Sequence, residues 1–369
     1  MFLLMFMLSF PGISPELSFS PGMPFFPGSI SPDHYIPERR NTPDRFVIDS
    51  LLLLGQDPPA GQDLAGGTGF YRRDNISPAG QPPRRITVFP ERSVYMGTDI
   101  PLHRIACITG ATSGIGEAFA RELSDRGWGL ILTGRREHLL EKLAGELPGG
   151  PPLRLVPGDL RDPQDRQHLL EALKETPGLE LVIHNAGYGL DRPFLQASPE
   201  EVLALGELHV QSTALLVNQV VPLLCPDRPR RSSSAPPGII LVSSAAAFLP
   251  APGPALYTAT KAFIVSLGRA LFPELSRRGI ALQVLCPGFT RTGFHDHLGW
   301  DPQRLQNRGL IRWMDPRDVA KRSLRRLWRP APGITGRSPV YVPGFSNRLI
   351  LALARLVPRR IYNALARSW

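Results

Sequence analysis

Tyr257-Thr258-Ala259-Thr260-Lys261, with Ser244 thirteen residues upstream, combines a phenol, an amine and a hydroxyl at spacings that suit proton transfer. A Tyr and a Lys four residues apart on a helix share one face, one turn above the other. The ammonium then stands near the phenol, where it favours the phenolate and lowers a pKa of ordinarily about 10 toward the range of general acid/base work. The spacing alone also fits an exposed amphipathic helix, so its meaning depends on its surroundings.

Those surroundings are short apolar runs that end in ligand-suited residues. Arg104 to Thr109 reads as a strand and Glu117 to Leu123 as a helix, with Gly110-Ala111-Thr112-Ser113-Gly114-Ile115-Gly116 between them. Glycines there let backbone approach a pyrophosphate, and the N–H groups of the helix start face its charge. A second strand, Gly129 to Thr133, leads into Gly134-Arg135-Arg136. An acidic residue at that point would accept from the 2′-hydroxyl of NAD, whereas arginine pairs with the 2′-phosphate of NADP. The sequence therefore favours NADP(H) over NAD(H), the alternative being that both arginines only begin the next helix. Further strands at Leu153 to Val156, Leu179 to Ile183, Gly238 to Val242 and Ala281 to Leu285 alternate with helical stretches, among them a long one from Pro199 to Leu224. This alternation predicts an α/β fold, a doubly wound and mostly parallel sheet of about seven strands, with ligands at the C-terminal strand ends.

Thr109-Gly110 through Gly116, Asn185-Ala186-Gly187, Ser244, Tyr257 with Lys261, and Pro287-Gly288 occur in the order found in short-chain dehydrogenase/reductases. The chain resembles that family over about residues 103 to 345. The resemblance implies a Rossmann domain that interconverts a carbonyl and a secondary alcohol by hydride transfer, with Tyr257 as general acid/base. Ser244 would position and polarise the substrate oxygen, and Lys261 would bond the nicotinamide ribose and stabilise the tyrosinate. Cofactor contacts are implied for Gly110, Thr112, Ser113, Gly114, Ile115 and Gly116, and for Asp159 and Leu160 beside the adenine. They are implied also for Asn185, Ala186 and Gly187, and for Pro287, Gly288, Thr290 and Thr292, with Thr292 preferred to Thr290. Asp159 reads equally as a helix N-cap. One departure stands out: His209 occupies a position where many relatives carry an Asn that holds a water near the lysine. An imidazole both donates and accepts, so His209 is a candidate for that proton route; the alternative is a His bonded to a backbone carbonyl. The resemblance further implies a homo-oligomer, dimer or tetramer, and a small-molecule substrate. Two other readings are an NADP-binding sensor without turnover and an epimerase or dehydratase. The second is disfavoured because Gly-x-x-Gly-x-x-Gly and a larger C-terminal domain are missing.

Composition sets the frame. The 369 residues include 42% apolar side chains, ample for a core, but 40 Pro and 35 Gly crowd unevenly. Phe-Pro-Gly and Ser-Pro-Gly recur near the start, so residues 1 to 100 read as a disordered Pro/Gly-rich extension. Met96 lies just before the first strand, which makes an over-extended reading frame a further expectation. The opening Met1 to Leu8 is apolar but too short to span a bilayer, and no basic segment precedes it. Cys107, Cys225 and Cys286 lack metal-ligand spacing and read as buried apolar residues of a reducing compartment, consistent with a cytoplasmic enzyme without a metal. From Arg304 onward there are 15 Lys/Arg against 2 acidic residues, while the rest of the chain sums to 27 − 30 = −3. The basic residues alternate with apolar ones as in helices, which argues against nucleic acid. Beyond the domain of residues 101 to 345, residues 346 to 369 read as a basic amphipathic tail that docks on a subunit or lies on an anionic membrane surface. Residues 293 to 313 read as a lid whose Phe294, Leu298, Trp300, Leu305 and Trp313, with Phe248 and Leu249 nearby, suit either a lipophilic substrate or the core.

Overall fold

A computed structural model describes residues 104–149, 151–224, 235–249, 253–294, 307, 309–329 and 338–358. The expectations for residues 1 to 100, Cys225, Leu298, Trp300 and Leu305 lie outside them.

Seven parallel strands form one sheet: β1 Ile105–Thr109, β2 Gly129–Gly134, β3 Leu153–Pro157, β4 Leu179–His184, β5 Gly238–Val242, β6 Ala281–Leu285 and β7 Val340–Tyr341. Their order is β3-β2-β1-β4-β5-β6-β7. The chain winds outward from β1 to one edge, then returns to start the other half at β4. Helices cover both faces, so strand residues of both parities are apolar. Ile105 and Cys107 enter one core, and Ala106 and Ile108 the other. This two-sided burial is why the strands read as unbroken apolar runs.

The helices are α1 Gly114–Ser124, α2 Glu137–Glu146, α3 Pro163–Lys174, α4 Pro199–Gly206, α5 Ser212–Val220, α6 Ala255–Arg277, α7 Pro316–Leu327 and α8 Phe345–Arg355. Several begin at side-chain caps placed just before a proline. Asp162 accepts from the N–H groups of Gln164 and Asp165, and Ser198 and Glu201 form a capping box. Each such cap contributes about 1 kcal/mol. The N-cap alternative for Asp159 thus falls three residues downstream, on Asp162.

The long helix expected from Pro199 to Leu224 is not uniform. Between α4 and α5, Glu207–Gln211 forms a π-helical turn. The hydroxyls of Ser212 and Thr213 donate to the carbonyls of Leu208 and His209, drawing those acceptors partly out of the helical ladder. The consequence is local. His209 sits in the widened turn, next to the residues that open the sequence analysis.

Candidate active site

The glycine turn is held from below by Thr109. Its Oγ1 accepts from the N–H groups of Asn185 and Ala186, both at 3.0 Å, and meets His184 Nδ1 at 3.1 Å. With both N–H groups donating to it, the single hydroxyl proton goes to His184 Nδ1. His184 therefore carries its own proton on Nε2, a buried atom without a hydrogen-bond partner. Burial, then the Lys261 charge, drive its pKa down to about 3, so the ring is neutral. Asn185 completes the link by donating to the carbonyls of Thr109 and Gly110. Gly110 and Gly114 have φ of 65° and 62°, and a Cβ on Gly110 would lie 2.8 Å from the Ala186 Cα. The turn needs glycine both for its backbone and for its contact with β4.

At the end of β2, Arg136 donates to Thr112 Oγ1 and Ser113 Oγ, each at 3.0 Å. Arg135 leaves more than half of its side chain exposed, lies over the Tyr188 ring and approaches Asp159 at 3.9 Å. Burial works to raise the Asp159 carboxyl, but hydrogen bonds from the Arg161 side chain and backbone outweigh it and hold the pKa below its ordinary value. The result is a rim with two cations, two hydroxyls and one carboxylate already engaged.

At the other end, β5 delivers Ser243 and Ser244. The Ser243 hydroxyl is buried and donates to the Lys261 carbonyl at 2.7 Å. Ser244 opens a short 3-10 turn, its Oγ accepting from Ala246 N–H at 3.1 Å, which leaves its proton available. Tyr257 and Lys261 stand on α6, with Lys261 Nζ 5.7 Å from the phenol ring centre and 3.2 Å from the Val242 carbonyl. The expected lowering of the phenol does not hold. Burial pushes Tyr257 up to about 12, opposed by the Ser244 hydroxyl, and pushes Lys261 down to about 8. Lys261 is only 4% exposed yet at about 8 keeps its ammonium at neutral pH; the phenol is raised because its own desolvation is the largest influence on it.

His209 uses both ring nitrogens. Nε2 accepts from Tyr188 N–H at 3.2 Å, so Nδ1 carries the proton and donates to Thr260 Oγ1 at 2.9 Å. Thr260 in turn donates to the Tyr257 carbonyl. Both expectations for His209 need correcting: neither nitrogen is left to pass a proton toward Lys261, and its partners are an N–H and a hydroxyl, not a carbonyl. Burial, followed by the Lys261 charge, holds the ring well below its ordinary pKa.

One cleft of about 920 Å³ joins the two ends. Of the catalytic and cofactor-contact residues singled out from sequence, all line it except Gly116 and His209. Gly116 packs under the turn against the Gly110 carbonyl, and His209 lies behind Gly187, where a Cβ would come 2.8 Å from His209 Nε2 and 3.1 Å from Lys261 Nζ. Thr290 spends its hydroxyl on the Gly288 carbonyl, whereas Thr292 Oγ1 accepts from Phe294 N–H and keeps its proton. Of the lid candidates, Phe294 lines the cleft and its ring lies 5.7 Å from Tyr257, while Trp313 is core, against Phe289.

Sequence reasoning missed Asn347, 4% exposed on α8, which donates to the Pro343 carbonyl and fits so closely over Gly288 that a Cβ there would meet its Oδ1 at 2.3 Å. The boundary at residue 345 is also displaced: α8 starts at Phe345, and Asn347, Ile350 and Leu351 line the same cleft. A polar residue amid an apolar helix was the available signal.

The short chain dehydrogenase family model matches residues 104–302, and the chain belongs to that family. Sulfoacetaldehyde reductase 2 of Chromohalobacter salexigens is 32% identical over 52% of this chain and 74% of its own length. Among solved structures, a short-chain dehydrogenase from Sphingobium yanoikuyae in complex with NADPH is 28% identical with a TM-score of 0.56, over 69% of this chain and 94% of that one. A 3-ketoacyl-(acyl-carrier-protein) reductase from Brucella melitensis complexed with NADH is 25% identical with a TM-score of 0.55, over 67% and 100%.

Proposed function

We propose that this chain is an NADP(H)-dependent oxidoreductase that interconverts a carbonyl and a secondary alcohol on a bulky, lipophilic or acyl substrate. The observation that carries this reading is the convergence of Ser244, Tyr257 and Lys261 on the same cleft as the glycine turn and Arg135. A nicotinamide dinucleotide fits the residues present. Gly110, Gly114 and Gly187 line the cleft where an added Cβ would crowd Ala186, Thr292 and His209 in turn, and Arg135, more than half exposed, stands with the half-buried Arg136 at the β2 rim.

When bound, the nicotinamide supplies or accepts the hydride. The remaining work belongs to this chain. Ser244 lines the cleft and, with its Oγ accepting from Ala246 N–H, keeps a proton with which to orient a substrate oxygen. Tyr257 exchanges the proton with that oxygen, and a phenol near 12 is protonated at neutral pH, which favours carbonyl reduction. Lys261, held between the Ser243 strand and Gly187, supplies positive charge that favours the tyrosinate left after transfer. Arg135 and Arg136 offer the charge-assisted donors that a 2′-phosphate needs. His209 positions Tyr188 and, through Thr260, the helix turn that bears Tyr257. Apolar Leu190, Leu249, Phe294, Ile350 and Leu351 on the remaining wall suit a lipophilic substrate.

An NADPH- and NADH-oxidation screen over small polar aldehydes, bulky ketones and 3-oxoacyl thioesters tests the reading. Turnover with NADPH and the bulky or acyl classes is expected. Cofactor binding without turnover across the panel would overturn it in favour of a sensor.

A further inference from the structure

The surface formed by α7, β7 and α8 carries a feature the cleft does not use. Six arginines, Arg126, Arg322, Arg325, Arg326, Arg329 and Arg348, surround a shallow depression of about 980 Å³ whose floor includes Trp328 and Tyr341. Within the group Arg126 is paired with Glu122 at 2.6 Å, and of the nearby cations outside it Arg317 is paired with Asp125 and Lys321 with Glu122. Among the described residues, Arg322, Arg325, Arg329 and Arg348 have no such carboxylate. No Asp or Glu follows Asp318 anywhere in the sequence.

Helix α8 extends this basic face with apolar side chains where a water-facing helix would be polar. Its inward side is Asn347 and Leu351. Its outward side stacks Phe345, Ala352 and Leu356 at spacings of seven and four, with Arg348 and Arg355 alongside. Phe345 is 71% and Leu356 78% exposed, and Leu353 is exposed too. Large apolar groups held in water beside unpaired arginines are the pattern of a helix lying in a lipid interface, apolar groups inserted and cations at the headgroups.

We propose that the α7–β7–α8 face docks on an anionic lipid bilayer surface. Charge decides against a second copy of this chain as the occupant. A two-fold contact through this face would bring Arg322, Arg325, Arg329 and Arg348 against their counterparts while the nearby Glu122 is already paired with Arg126, whereas anionic headgroups supply the missing charge. Placement adds a reason. Ile350 and Leu351, on the inward side of the same helix, line the cleft, so docking brings the apolar wall of the cleft near the lipid. The proposal concerns binding alone and holds or fails independently of the cofactor and the reaction.

The test is co-sedimentation of the full chain with phosphatidylglycerol/phosphatidylcholine vesicles against pure phosphatidylcholine vesicles, at low and high salt. Binding is expected only to the anionic vesicles and is expected to fall with salt. R348E/R355E should weaken it at least about tenfold, at unchanged circular dichroism and melting temperature. F345S/L356S should weaken it while leaving its salt dependence. Absence of binding to anionic vesicles, or equal binding to neutral ones, overturns the proposal. So does a mass in lipid-free solution that drops from dimer to monomer in F345S/L356S, which would assign the face to a second copy.

Discussion

The two ends of the cleft are built on opposite electrostatic principles. At the arginine end, Arg135 and Arg136 are partly solvated, and their partners are hydroxyls and one carboxylate at the rim. At the tyrosine end, Lys261, His184 and His209 are buried together, and desolvation is the first cause of every shift in their pKa values. An exposed cation keeps its charge and attracts an anion. A buried base gives up charge easily, and a buried phenol keeps its proton, as proton exchange demands. Under the proposed function, this cleft separates anion attraction from proton exchange by solvent exposure.

Four measurements would break or sharpen this contrast. Tyr257→Phe should lower kcat about 10³-fold while leaving the Kd for NADPH, read by nucleotide fluorescence, nearly unchanged. Loss of both together would erase the division between the ends. Lys261→Met should abolish turnover yet raise the melting temperature at pH 7. The folded state disfavours the lysine's proton between about 8 and its ordinary value of 10.5, so the ammonium costs about 3 kcal/mol at neutral pH. In the unchanged protein the same linkage makes stability rise with pH across that window, because the unfolded chain binds the extra proton. Arg135→Ala/Arg136→Ala should weaken NADPH about 10- to 100-fold and NADH hardly at all, as expected for losing charge-assisted bonds to one phosphate. The last effect is the gentlest per unit. His184 has a folded pKa near 3, well below 6.5, and His209 is lowered in the same direction, so both stay neutral while the unfolded state takes up protons. Stability should therefore decline as pH falls below about 6.5, by up to about 1.4 kcal/mol per pH unit for each. A flat urea midpoint from pH 7 to 5 would show that the tyrosine end is not sealed from protons.

Much of this arrangement was legible before any coordinates. Runs such as Ile105–Thr109 and Gly238–Val242 are apolar at every position because both sheet faces are covered, and each ends on the residue types that line the cleft. What stayed hidden depends on packing across the chain. Glu-Leu-His-Val-Gln reads as ordinary helix, and only the hydroxyls of Ser212 and Thr213 turned inward reveal the π-helical turn. The Tyr-Lys spacing promised a lowered phenol, but spacing carries no information on desolvation, which won. The C-terminal pattern led to the expectation of a basic amphipathic tail; it did not reveal that the inward side of α8, Phe345–Arg355, closes over Gly288 through Asn347.

The Thr109 hydroxyl has one more consequence. In the order β3-β2-β1-β4-β5-β6-β7, the winding reverses between β1 and β4, and Thr109 pairs with His184 across that line. On either side of this line the two halves of the sheet are wound by different stretches of chain and are joined there by the β1–β4 ladder, which carries a bulge-type register shift at Ile105/Ala106. One oxygen, bound to His184, Asn185 and Ala186 at once, rivets the ladder directly beneath the cleft. The cleft is thereby braced from beneath by a residue that does not line it.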